Sequence, residues 1–108
     1  MIINKTTGEY FNINIEVADT FFKRFKGLMG KSEIASAMLF TGLADSSIHT
    51  LFMRFDIDVY FLDDEKRVFD KATLKPWRFY KPSKKAEFIL ESEKNRLKIE
   101  IGDKLDFV

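Results

Sequence analysis

The 108 residues contain no cysteine, which removes thiolate catalysis, disulfide staples and the common thiolate zinc sites together. The fold must rest on packing alone. Only one histidine, His49, is present, too few for a His-rich metal site. His49 with two aspartates offers a divalent ion no more than weak binding, so no metal and no cofactor is expected. No excess charge exists either: eighteen basic and seventeen acidic side chains leave a net +1, and no global field draws the chain to nucleic acid or membranes. No segment approaches the ~20 apolar residues needed to span a bilayer. The opening MIINKTTGEYFN has no basic region running into an apolar stretch. A soluble, cytoplasmic protein with no membrane partner is the expectation. Phosphate-cradling glycine loops, Gly-x-Gly-x-x-Gly, His-Glu-x-x-His and Gly-x-Ser-x-Gly are all missing, which argues against the common nucleotide and hydrolase chemistries.

What is present is core-forming material. An apolar fraction of 45%, with 15% aromatic residues and twelve phenylalanines, exceeds what a disordered chain carries. The length suits one domain over residues 1–108. From Tyr10 to Val17 apolar and polar residues alternate, the pattern of a half-buried strand, and Ile2-Ile3 before Thr7-Gly8 reads as the first arm of a hairpin. After Ala18 the period changes: Phe21, Phe25 and Leu28 share one arc, Asp19 or Thr20 can cap, and Gly30 can close. A short amphipathic helix from about Thr20 to Gly30 follows. Strand signals then resume at 38–40, 48–53, 57–62, 68–74, 88–90, 97–101 and 105–108, divided by turn chemistry. The expected fold is mainly β: a small antiparallel sandwich or barrel with one short helix near the N-terminus. Phe11, Ile13, Phe25, Met38, Phe40, Val59, Phe61 and Ile89 are its expected core.

Polar chemistry and core residues interleave in one stretch, SIHTLFMRFDIDVYFLDD, residues 47–64. Its reading depends on strand register. If Arg54-Phe55-Asp56 form a turn, His49 shares a face with Leu51, Met53, Ile57, Val59 and Phe61 and is a packed core histidine. If the turn is Phe55-Asp56 alone, His49, Met53, Asp58 and Tyr60 gather at a shallow site. As catalysts His49 and Asp58 lack a nucleophile, since Ser46, Ser47 and Thr50 have no spacing that fixes them against the imidazole. The second region is KATLKPWRFYKPSKK, residues 71–85, basic throughout and carrying Trp77, Phe79 and Tyr80. Cations beside rings suit a single-stranded nucleic-acid groove. The alternative is a lid whose aromatics cover the sandwich, with lysine stems lying on apolar surface. The net charge of only +1 favours the lid.

Four pieces taken in order carry a resemblance: Phe25-Lys26-Gly27-Leu28-Met29; Ala37-Met38-Leu39-Phe40; Ile48 to Phe55 running into Ile57 to Asp63; and Leu74-Lys75-Pro76-Trp77-Arg78. As an ensemble they are similar to domain of unknown function 192, from about Val17 to the end. The resemblance implies a compact, mostly β domain and supplies no reaction. The chain departs from that pattern at Ala37, where the family usually has Gly, at Asp56, where many members have Pro, and at Lys94-Asn95, where Gly is common. Asn95 tolerates the left-handed conformation a glycine would take.

These readings point to a non-catalytic binding or accessory module for an unknown small molecule or protein. Its candidate ligand-binding residues are His49, Met53, Arg54, Asp58, Tyr60, Trp77 and Arg78. The alternatives are an enzyme of unassigned reaction using His49 and Asp58, or a weak single-strand binder through residues 71–85. A monomer or weak homodimer is expected, because so many phenylalanines in a small domain leave room for an exposed apolar patch.

Overall fold

The computed structural model describes residues 1–18, 37–41, 47–50 and 55–108, with the backbone alone for Ala18 and His49. In chain order the strands are β1 (Ile2–Asn4), β2 (Tyr10–Phe11), β3 (Ile15–Ala18), β4 (Ala37–Thr41), β5 (Ile48–His49), β6 (Ile57–Leu62), β7 (Val68–Leu74), β8 (Phe79–Tyr80), β9 (Phe88–Glu93) and β10 (Leu105–Phe107). A five-stranded sheet in the order β3-β4-β9-β6-β7 forms the centre, joined by a three-stranded sheet β10-β1-β2 and a two-stranded pair β5-β8.

Strand β6 shows how the sequence builds this arrangement. All six of its residues are buried, so both faces of the sheet must be covered. Ile57, Val59 and Phe61 point into one cluster with Met38, Phe40 and Ile89, over which Ile48 of β5 and Tyr80 of β8 pack. Tyr60 and Leu62 point the other way, into a cluster with Leu39 and Leu90 that takes Ile2 from β1 and Leu105 from β10. The alternation of side chains along a strand thus separates two cores, one on each face. The Phe61 ring stacks on Tyr80 with centroids 5.5 Å apart. In β7 the register shifts beside Phe61/Leu62, so that Phe61 faces Asp70 while Leu62 faces Val68. Phe69 is the additional residue of a β-bulge, and Lys84 lies over its ring at 4.7 Å.

Two features of the expected fold are corrected. Every helix or strand among the described residues is a strand, so a helix is no part of the described architecture; the segment expected to form it, Thr20 to Gly30, lies outside the described residues. Nor is the central sheet purely antiparallel. β3 and β4 run parallel, Ile15 opposite Ala37 and Val17 opposite Leu39. A parallel pair needs a crossover of a dozen or more residues, and residues 19–36 between the two strands have that length.

Much else agrees with the sequence. β1 and β2 form the hairpin signalled by Thr7-Gly8, with Gly8 at φ 81°, where a residue lacking Cβ is free of strain. Asn95 takes the left-handed conformation at φ 63°. Ile13, Met38, Phe40, Val59, Phe61 and Ile89 are buried, Phe11 packs half-buried on its cluster, and Phe25 lies outside the described residues. Among the described residues no helix is long and apolar enough to cross a membrane.

Candidate functional site

Asp58 and Tyr60 stand two residues apart on β6 and therefore share a face. Cross-strand pairing sets Asp58 opposite Thr73 and Tyr60 opposite Lys71 of β7. This face is polar at its β7 edge and apolar toward its centre. Against the polar edge lies the segment from Asn95 to Glu100, which follows β9. Its side chains alternate in burial, Leu97 and Ile99 inward, Lys98 and Glu100 outward, which is why the sequence reads it as a strand. It nevertheless belongs to none of the sheets.

Side chains hold its backbone in place of a ladder. The Asn95 amide donates to Asp58 Oδ2 at 2.9 Å, and the Tyr60 hydroxyl donates to the Leu97 carbonyl at 3.3 Å. Lys71 Nζ donates to the Ile99 carbonyl at 3.2 Å, and the Glu100 amide donates to Asp103 Oδ2 at 2.9 Å. Four side chains thus satisfy backbone groups that an unpaired segment would otherwise leave to water. Asp58 is held in turn by Thr73, whose hydroxyl donates to Oδ1 at 2.6 Å. Lys71 also pairs with Glu100 at 2.8 Å.

Because the segment is propped rather than zipped onto the sheet edge, a cleft of about 580 Å³ remains between them. Asp58, Tyr60, Lys71 and Thr73 line the sheet side; Arg96, Leu97, Lys98, Ile99 and Glu100 line the other, and Phe11 of β2 also contributes. Burial, together with the charges of Asp58 and Glu100, holds the Tyr60 phenol well above the usual tyrosine range. It is a neutral hydrogen-bonding group at physiological pH. Among the described residues no three His, Cys, Asp or Glu side chains come together as a metal site.

Of the seven residues singled out in the sequence, the side chains of four are described, and the structure brings Asp58 and Tyr60 together in the cleft. Met53 and Arg54 lie outside the described residues, as does the His49 side chain. Both registers considered for residues 47–64 fold this stretch on itself, but β5 pairs with β8 instead, Ile48 opposite Tyr80 and His49 opposite Phe79. With Ile48 packed on the Val59 face, β5 lies on the side of the central sheet opposite to the Asp58 carboxylate.

Trp77 and Arg78 lie beside β5, in a loop fixed by buried Thr50. The Thr50 hydroxyl donates to the Lys75 carbonyl and accepts from the Arg78 amide, each at 2.7 Å, and the Thr50 backbone bonds to Trp77 and Arg78. These bonds hold Trp77 at φ 64°, a conformation rare for so bulky a residue. The lid expected here is corrected in part. Trp77 is 55% and Phe79 74% exposed, and only Tyr80 turns inward onto Phe61. With bonds to Thr50 setting the turn at residue 77, Trp77 and Phe79 stay more than half exposed.

Sequence reasoning missed Lys71 as a cleft residue, along with Thr73, Arg96, Lys98 and Glu100. The signal available was the polar side of β7, where Lys71 and Thr73 alternate with Ala72 and Leu74. Glu91 was also missed: it is a buried carboxylate in β9 between Met38 and Val59, just beyond the point where the strand was expected to end.

Residues 2–107 match the model of family DUF192, described as Uncharacterized ACR, COG1430. A UPF0127 protein of Thermococcus sibiricus is 41% identical over 114 residues, covering 99% of this chain and 74% of its own length. A UPF0127 protein of Pyrococcus furiosus is 39% identical over 112 residues, covering 98% and 97%. Among solved structures, a protein of unknown function from Novosphingobium aromaticivorans superimposes with a TM-score of 0.83 at 23% identity, covering 98% of this chain and 82% of that one. That likeness is one of fold.

Proposed function

Since the chain belongs to the DUF192 family, a premise that supplies no reaction, we propose that it is a non-catalytic binding module whose ligand is a small molecule held in the cleft beside Asp58 and Tyr60. The observation that carries this reading is the cleft itself. Its volume of about 580 Å³ lies in the range of small-molecule sites, and its lining is mainly polar and charged, with Phe11 as a half-buried apolar member. An enzyme reading through His49 and Asp58 has less support. The Asp58 carboxylate already accepts hydrogen bonds from Thr73 and Asn95, and β5 lies across the sheet from it.

The test is a thermal-shift screen of small polar and aromatic compounds, followed by amide-resolved NMR with each hit. Binding to the native state raises the melting temperature by mass action, by about 2.7 kcal/mol of stability at a hundredfold excess over Kd. Shifts at Tyr60, Thr73, Leu97 and Ile99 are the expected result. Hits that map elsewhere, or that are chemically converted on standing with the protein, overturn the reading.

A further inference from the structure

The cleft has an imbalance between groups already committed and groups left over. Asp58 accepts from Thr73 and Asn95, Tyr60 donates to Leu97, and Lys71 is bonded to both Ile99 and Glu100. Arg96 and Lys98 differ. They flank buried Leu97 on the outer wall, both are exposed, and among the described residues neither side chain makes an ion pair or a hydrogen bond. The cations of the cleft left without a partner are therefore Arg96 and Lys98, both exposed.

The inner end has the opposite character. Burial raises the Tyr60 phenol most, and the charges of Asp58 and Glu100 nearby add to it, as a negative local field does. An anionic group is thus disfavoured beside Tyr60 and favoured beside Arg96 and Lys98. The volume exceeds what an inorganic ion would fill, and half-buried Phe11 offers an apolar body a contact.

From this arrangement, and resting on the binding reading above, we infer that the ligand is an organic anion whose acidic head lies between Arg96 and Lys98 and whose apolar body lies toward Phe11. A carboxylate or a phosphate ester meets this description, since guanidinium and ammonium donors serve both.

The test uses three probes that share one ring system: naphthoate, naphthyl phosphate and the neutral naphthamide, each titrated into the whole chain with amide-resolved NMR. We expect both anions to shift the amides of residues 96–99 and to bind about tenfold more tightly than naphthamide, the scale of losing hydrogen bonds to a charged group. Whichever anion binds more tightly identifies the head group. The preference should vanish in the double variant Arg96→Gln, Lys98→Gln, whose surface positions leave the fold intact. It should also shrink between 0.1 and 1 M salt as the screening length falls from about 10 to about 3 Å. Equal binding of naphthamide and the anions in the cleft overturns the anion inference while the binding reading stands. So does a preference that survives the double variant. Failure of all three probes to shift any cleft amide overturns both.

Discussion

Replacing Asp58 by alanine tests whether the cleft wall is propped as the structure indicates. The carboxylate accepts from the Thr73 hydroxyl at 2.6 Å and from the Asn95 amide at 2.9 Å, and hydrogen bonds to charged groups contribute about 1.5–3 kcal/mol each. Thr73 is exposed, so its hydroxyl can turn to water and its share falls at the low end. The Asn95 amide is less free, because it belongs to a turn held at φ 63°, and without Asp58 the turn loses the contact that compensates its conformation. We expect Asp58→Ala to lose ~2–4 kcal/mol, read from urea unfolding. Asp58→Asn, which keeps the size and one acceptor, should lose roughly half as much. Hydrogen exchange supplies the local readout, since the Asn95 amide should lose protection in Asp58→Ala by more than the global destabilisation accounts for. A stability change below about 0.5 kcal/mol, with Asn95 protected as before, would refute this account of the wall.

Phe61→Ala empties a fully buried site and removes the ring stacked on Tyr80; a loss of ~3–5 kcal/mol by urea unfolding is expected, and one under about 1 kcal/mol would show that the core is misassigned. Tyr60 governs alkaline stability: its folded pKa is raised, so its stabilising share is intact below the ordinary tyrosine value of about 10 and is lost above it, at about 1.4 kcal/mol per pH unit, because the unfolded chain releases a proton that the native state keeps. Tyr60→Phe should flatten that slope by one proton, and equal slopes in the two proteins would refute the assignment. At the basic loop we expect fluorescence anisotropy with a labelled single strand to detect no salt-sensitive binding, since Arg78 donates to the Pro76 and Trp77 carbonyls of its own turn; binding that falls with salt at ~0.7 per phosphate and needs both Arg78 and Trp77 would prove the opposite.

Local rules were legible in the sequence. Strand signals over 57–62 and 68–74, bounded by turn chemistry, mark β6 and β7 at their observed bounds, Thr7-Gly8 marks the β1-β2 turn, and Asn95 stands where the chain turns left-handed. Each of these depends on neighbours a few residues apart, where period and turn chemistry decide. Partnership was not legible. Alternation states which side chains are buried but not which strand accepts the backbone hydrogen bonds, so residues 48–49 joined β8 and β3 joined β4 in parallel. The same limit hid the cleft. Leu97 and Ile99 alternate with polar residues as a strand does, yet their backbone is tied by Tyr60 and Lys71, residues distant in the chain. Asp58 and Tyr60 were identified because they interrupt an apolar run on one strand. Arg96 and Lys98 became their neighbours only when the tertiary fold laid the segment after β9 across the polar edge of the sheet, since a concave site is a property of surfaces brought together and not of any one stretch of chain.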